Sequence, residues 1–235
     1  MLKAELHTHI NEDPKDNKFI RYSGKELVDK AILKKFDVLA ITCHNLVYQN
    51  PELKDYAKNR GLILIYGIER DVEEKHVLMY NITQDEAEKI NSFQDLALIR
   101  KQKPEILTIA AHPVYWGPSC LRKNIIKHLN LFDAWEYSFF HTKIINPNKK
   151  LLTLAKKHNK PVVGNSDVHV IHDLGRTYSL IDSEKDEQAV LSAIKEGKVR
   201  YVTNPLNHRE FFHIAWKAVI STARHQVKKR WKKEG

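Results

Sequence analysis

Cysteine is scarce in this chain: Cys43 and Cys120 are the only two in 235 residues. Two thiols do not make a disulfide framework, so stability must come from apolar burial, and a reducing cytoplasm is expected. Long apolar runs are also missing. No stretch approaches the ~20 residues that cross a bilayer, so no transmembrane segment is expected. Met1-Leu2-Lys3-Ala4 runs straight into a strand pattern, so no signal peptide is expected. Glycine and proline are sparse, at eight each. There is no Gly/Ser linker, low-complexity segment or internal repeat, which argues for one large domain. Acids are the minority, 29 against 39 Lys and Arg, for a net charge of +10. The surplus is concentrated from Trp216 to Gly235, where Lys217, Arg224, Lys228, Lys229, Arg230, Lys232 and Lys233 face a single acid, Glu234. Such a tail reads first as a solvated helix end. A nucleic-acid contact or an anionic membrane surface is the alternative. Aromatic interleaving, which a stacking platform needs, is limited to Trp231.

What the chain does have is a run of hydrophobic segments that each end in an acid or a histidine. His7 and His9 follow Ala4-Glu5-Leu6; His44 follows Val38 to Thr42; Glu69 follows Leu62 to Tyr66. His112 follows Leu107 to Ala111, and Asp167 and His169 follow Pro161 to Gly164. A short apolar run capped by a polar group reads as a buried parallel strand that delivers the group at its carboxyl end. Strands are expected at 38–42, 62–66, 76–80, 107–111, 133–138, 161–164, 178–181 and 199–203. Helices are expected after a Ser23/Glu26 capping box, from Pro51 to about Gly61, and over 84–101, 147–158 and 183–196. This alternation predicts an α/β fold with a mainly parallel sheet. Asn204-Pro205 is the expected boundary, giving a catalytic-type domain over 1–205 and an amphipathic helix with basic tail over 206–235. In that helix Phe211, Phe212, Ala215, Trp216, Val219 and Ile220 recur at helical spacing.

The spacing carries chemistry. Residues two apart on an extended chain share a face, so both imidazoles of His7-Thr8-His9 can reach one metal ion, as can Asp167 and His169. Gly67-Ile68-Glu69 follows a strand, where glycine allows a tight exit and the carboxylate can bridge two cations. Mixed imidazole and carboxylate donors suit Zn, Mn or Fe rather than Ca. In closed α/β barrels the carboxyl ends of strands are where active groups sit. One H-x-H pair would mean little; the shared strand-end context of five segments is the signal.

The set of motifs, in order, resembles the PHP (polymerase and histidinol phosphatase) family of metal-dependent phosphoesterases, from about Leu6 to Pro205. The motifs are His7-Thr8-His9, Leu39-Ala40-Ile41-Thr42-Cys43-His44, Gly67-Ile68-Glu69, His76-Val77-Leu78-Met79-Tyr80, Ala111-His112-Pro113 and Asn165-Ser166-Asp167-Val168-His169, followed by Leu174-Gly175-Arg176. The resemblance implies a distorted seven-stranded, TIM-like β/α barrel holding two or three divalent metal ions. One ion would take His7, His9, Glu69 and Asp167. A second would share Glu69 and add His76 and His112. A third would take His44, His169 and a group early in the chain. The family places an Asp or His five or six residues after the second histidine. Those positions are Pro14 and Lys15 here, so either Asp13 or Asp16 is expected to serve. Cys43 stands where the family commonly has Asp, and reads as a buried reduced thiol. Glu136 reads as a strand-end carboxylate or as support behind a ligand.

The implied reaction is phosphoester hydrolysis by a metal-activated hydroxide, with His44, His169 and Asp167 as the expected catalytic groups. Arg176, Lys143 and His141 are candidates to grip a second phosphate or the leaving group. A small phosphorylated substrate, such as a nucleotide or a histidinol-phosphate-like monoester, is the expected partner. Cleavage of nucleic-acid ends is the main alternative, with the basic tail tracking phosphates. A non-catalytic module would have lost its donors. An amidohydrolase would need a strand-end lysine or histidines in another order. Nothing in the sequence fixes an oligomeric state.

Overall fold

A computed structural model of the chain describes residues 1–216, so the basic tail lies outside the described residues. These fall into two compact units: Met1–Phe139 with Pro147–Asn204, and Phe140–Asn146 with the chain from Pro205 onward. In the first unit nine strands form one sheet in the order β7-β6-β5-β4-β3-β2-β1-β8-β9. They are β1 (Leu2–Glu5), β2 (Val38–Ile41), β3 (Ile63–Val72), β4 (Lys75–Tyr80), β5 (Leu107–Ala110), β6 (Ala134–Ser138), β7 (Val162–Asn165), β8 (Thr177–Ile181) and β9 (Val199–Thr203).

Seven strands in a mainly parallel sheet were expected; nine in a mixed sheet are found. β1, β2 and β3 are parallel, as are β5, β6 and β7, but β4 runs against both β3 and β5. β8 is antiparallel to β1, and β9 to β8. The sheet curls into a barrel. The end of β1 and the end of β7 meet at an isolated parallel bridge, Thr8 to Val168. Ser179 of β8 closes the lower part, its Oγ accepting from Gly164 N and donating to Gly164 O, both at 3.0 Å.

Side-chain alternation sorts the strands into one shared inside and two outsides. Val38, Ala40, Ile65, Leu78, Tyr80, Leu107, Ile109 and Val163 form one buried cluster to which strands all round the barrel contribute. It is completed by Val190, Leu191 and Ile194 of helix α7 (Glu187–Lys195). Their neighbours point outward under the helices. Leu39, Ile41 and Leu64 meet α1 (Gly24–Leu33) and α2 (Pro51–Lys58). Val77, Met79 and Ala110 meet α3 (Gln84–Glu88), α4 (Phe93–Gln102) and α6 (Asn148–Lys157). The short α5 (Asn124–Lys127) precedes β6. The expected capping box forms: Ser23 caps α1 and Glu26 returns to the Ser23 N–H at 2.8 Å. The single helix expected over 84–101 is instead two. Thr83 with Glu86 caps the first and Ser92 with Asp95 the second, and the second box stops the helix from running through.

In the second unit residues 208–216 are helical. Phe211 stacks on Phe140 at 4.5 Å, and Leu206 N donates to His141 O at 2.8 Å. Phe212 and Trp216 are exposed. Among the described residues no helix is long and apolar enough to cross a membrane.

Gly67 does not make the expected tight exit, because β3 continues through Glu69 to Val72. It is there for closeness instead. A Cβ at Gly67 would lie 2.7 Å from both Met79 O and the Tyr80 ring. A backbone carbonyl and a fully buried ring cannot step aside cheaply. Gly67→Ala is therefore expected to cost about 1–3 kcal/mol in urea unfolding, as overpacking does; a change under about 0.5 kcal/mol contradicts this packing.

Candidate metal centre

The Thr8–Val168 bridge sets up the centre. Val168 N donates to His7 O and His9 N to Val168 O, each at 3.1 Å. Thr8 turns its hydroxyl to Ala40 O at 2.5 Å, and Val168 buries its side chain in the apolar cluster beneath α1 and α2. Their flanking residues therefore turn the other way, toward each other. His7 Nε2 and His9 Nε2 both lie 3.4 Å from Asp167 Oδ1, and His169 Nδ1 lies 3.3 Å from the same atom. Simple strand alternation does not produce the second pair, because β7 ends at Asn165 and Asp167 adopts φ +45°. A left-handed residue, costly for anything but glycine, aims the carboxylate inward.

Glu69 is the hub. Oε1 lies 2.6 Å from His76 Nδ1 and 3.4 Å from both His7 Nε2 and His112 Nε2. Oε2 lies 2.9 Å from His44 Nε2 and 3.6 Å from His9 Nε2. Glu69 is pinned to its neighbour strand by a second isolated parallel bridge, to His44. Beside it Asn45 takes φ +55°, and its N–H donates to Glu69 O at 2.9 Å. His76 enters from the start of β4, not from a strand end. β4 runs backward, so its first residues lie where its neighbours finish. His112 follows β5 with φ +28°.

Asp13 and Asp16 both come to His44, by different routes. Asp13 is fully buried and saturated. It accepts from the N–H groups of Lys15 (2.8 Å), Asp16 (3.0 Å) and His44 (2.7 Å), and faces His9 Nδ1 at 2.8 Å and His44 Nδ1 at 3.0 Å. Asp16 Oδ2 faces only imidazoles, His169 Nε2 at 3.1 Å and His44 Nδ1 at 3.7 Å. All ten residues considered as metal ligands thus lie in one contiguous cluster. Within it His9–His44–His169, His7–His9–Glu69, His44–Glu69–His76 and Asp13–Asp16–His44 each offer ligand atoms within 4.8 Å of one another.

A second ring of groups orients the first. Glu136 is fully buried and takes His7 Nδ1 at 2.9 Å, Asn165 Nδ2 at 2.9 Å and His112 N at 2.7 Å. It leaves His7 Nε2 facing the centre, which is how outer carboxylates fix a ligating imidazole. Asp71 sits 3.2 Å from His76 Nε2 and is held by Asn45 Nδ2 at 2.8 Å. Lys15 Nζ reaches the same His76 nitrogen at 3.1 Å. Glu5, fully buried in β1, accepts from Ser166 N at 2.9 Å, and burial pushes its pKa up to about 8. Reading the sequence missed Asp71, Lys15 and Glu5. Asp71 lies two residues beyond Glu69 on one strand, a spacing that could have marked it. Cys43 is buried in an apolar cluster, and burial raises its thiol.

The three residues expected to grip substrate are Arg176, His141 and Lys143. Arg176 donates from Nε to Asp173 at 2.6 Å. His141 and Lys143 belong to the second unit, His141 buried with Nδ1 at 3.3 Å from Thr142 O and Lys143 exposed.

Five buried atoms at the centre have no hydrogen-bond partner: His7 Nε2, His9 Nε2, Glu69 Oε1, His76 Nδ1 and Asp167 Oδ1. Buried polar atoms are rarely left so, and five facing one another fit positions for divalent cations.

Residues 146–199 match the family model PHP_C, described as PHP-associated. Comparison with curated proteins finds no match. Among solved structures, PsfC from Pseudomonas syringae PB-5123 shares 13% identity with a TM-score of 0.62, covering 94% of this chain and 98% of its own. A protein from Bifidobacterium adolescentis assigned as a metal-dependent phosphoesterase shares 15% identity with a TM-score of 0.53, covering 71% and 87%. An amidohydrolase from Chromobacterium violaceum, solved with sulfate and no metal, shares 13% with a TM-score of 0.57, covering 84% and 97%. At such identities the likeness is one of fold. The family match is confined to residues 146–199.

The electrostatics of the cluster without cations follow from its composition. Burial alone would lower His7, but Asp167, Glu136 and Glu69 outweigh it and raise it well above the usual imidazole range. Burial likewise opposes His44, yet Glu69 and Asp13 carry it from 6.5 up to about 9. Burial pushes Glu69 and Asp167 up, but the surrounding imidazoles draw both well below the carboxylate range. His9 goes the other way, lowered by burial and by the neighbouring imidazoles. The raised His44 contributes stability that is full below pH 6.5 and lost as pH rises through about 9. Glu5, raised from 4.5 to about 8, also loses stability with rising pH. Glu69 and Asp167, both held below the carboxylate range, stay ionised throughout this window. With chelator present, the melting temperature should therefore fall from pH 6.5 to 9. With Mn supplied the slope should flatten, because bound cations replace the protons. A chelated protein with a flat profile contradicts this charge arrangement.

Proposed function

We propose that the chain is a metal-dependent hydrolase that cleaves phosphoesters, with a small phosphomonoester as its substrate. The observation that carries this is the convergence of three buried imidazole nitrogens without hydrogen bonds, on His7, His9 and His76, upon two equally unsatisfied carboxylate oxygens, Glu69 Oε1 and Asp167 Oδ1. His7, His9, Glu69 and Asp167 would hold one divalent cation, and Glu69, His76 and His112 a second. His44, His169 and Asp16 would hold a third. Asp16 is preferred to Asp13, whose oxygens already take three backbone N–H groups. The donor set suits Mn, Zn or Fe. Such cations would supply Lewis acidity, lowering the pKa of water and offsetting charge on phosphoryl oxygens.

The protein's own part is positional. Glu136 holds His7 in one tautomer, and Asp13 does the same for His9 and His44. His169 is the most open of the imidazoles, 34% exposed at the side chain, with Asp167 3.3 Å from Nδ1. With only two cations bound, its imidazole would be free to hand a proton to a departing oxygen; with a third bound, that role would pass to the cation.

The test begins with elemental analysis of the purified protein. It continues with phosphate release from monoesters, dinucleotides and single-stranded DNA in the presence of Mn. His7→Ala and Asp167→Ala should each lower turnover by more than about a hundredfold, beyond what outer positions produce. Full turnover in both variants, or a wild-type protein that takes up no divalent ion, rejects the proposal.

A further inference from the structure

We infer that Lys15 is the residue that selects a dianionic phosphoryl group, and so determines specificity for phosphomonoesters over less charged esters. This deepens the proposed function and rests on it for the identity of the reaction. Three observations carry it. First, the Lys15 ammonium reaches the centre, with Nζ 3.1 Å from His76 Nε2, on the side where His76 meets Asp71. Second, it is held there by its backbone. Lys15 N donates to Asp13 Oδ1 at 2.8 Å, and Asp13 is itself tied to His9 and His44, so the loop cannot drift from the centre. Third, the residue is exposed, so its side chain stands at the mouth and not in the floor.

The charge balance explains what an ammonium does there. Asp13, Asp16, Glu69, Asp71, Glu136 and Asp167 line or back the imidazoles. Three divalent cations would balance these six carboxylates once the imidazoles are neutral, so the centre as a whole does not repel a dianion. The local charge at the rim does, because Asp71 stands there, 36% exposed. A flexible four-carbon stem lets the ammonium leave His76 and meet an incoming oxygen without moving the backbone. A charge-assisted hydrogen bond from Lys15 to a non-bridging oxygen would offset the Asp71 charge at that edge. The hydroxyl or neutral end of a substrate gains little from it, so the effect discriminates by charge.

The experiment uses the Mn-loaded full chain and its Lys15→Ala and Lys15→Arg variants, with inorganic phosphate as the probe in calorimetry. Lys15→Ala should weaken phosphate binding about tenfold, the size of one charge-assisted hydrogen bond at a partly exposed site, and Lys15→Arg should keep most of it. Metal content should be the same in all three. In kinetics, Lys15→Ala should raise KM for p-nitrophenyl phosphate, with kcat little changed. It should affect bis(p-nitrophenyl) phosphate, a monoanion, much less. Unchanged phosphate affinity in Lys15→Ala overturns the inference. So does a gain of bound metal in that variant, because the ammonium would then have been standing in for a cation. A wild-type protein that binds phosphate through Lys15 but hydrolyses no phosphoester rejects the phosphoesterase reading while leaving the anion site in place.

Discussion

The parallel bridge between Thr8 and Val168 governs most of what this chain can do. It is two hydrogen bonds long, yet it joins the exit of the first barrel strand to the exit of β7. Because both bridged residues send their own side chains outward, His7 and His9 share one side, and the left-handed backbone at Asp167 brings that carboxylate to the same side. The closure of the sheet and the assembly of the centre are therefore one event. A barrel that failed to close would separate His7 and His9 from Asp167 and His169 by the width of the sheet.

What closure brings together is electrostatically unstable on its own. Unsatisfied imidazole and carboxylate atoms are buried side by side, and burial of such groups is costly unless charge is matched. Glu136 and Asp13 keep the rings from rotating toward other partners. Left-handed backbone at Asn45, His112 and Asp167 adds local strain at the strand exits. The fold's large apolar interior, shared by strands all round the barrel and plugged by α7, is what stabilises a chain carrying such a site.

Much of this was legible in the residues themselves. Apolar runs ending in His or acid marked the barrel and its functional rim, because a buried strand has few reasons to finish on a ligand. The residues that escaped did so for identifiable reasons. His76 was named, but its entry from the start of β4 was not, because β4 runs backward and direction leaves no trace in a hydrophobic pattern. The role of Gly67 depends on Tyr80 lying across it, a contact between strands. Glu5 follows the inward alternation of β1, and it stood unremarked inside the run Ala4-Glu5-Leu6. Lys15 meets the centre at His76, far along the chain, and no spacing connects the two, whereas Asp71 was readable from its place two residues beyond Glu69 on one strand. The break between α3 and α4 was readable, since Ser92 and Asp95 form the same kind of box as Ser23 and Glu26.

The carboxylate of Asp13 grips its loop by main-chain amides, at Lys15 and Asp16, and leaves their side chains unengaged in that grip. Shape and chemistry are thereby uncoupled along this stretch. Position 15 could exchange its side chain while the loop kept its course, whereas Asp16 is tied by its own carboxylate to His169 and His44. The entrance is the evolvable part of the molecule, and a single buried acid makes it so.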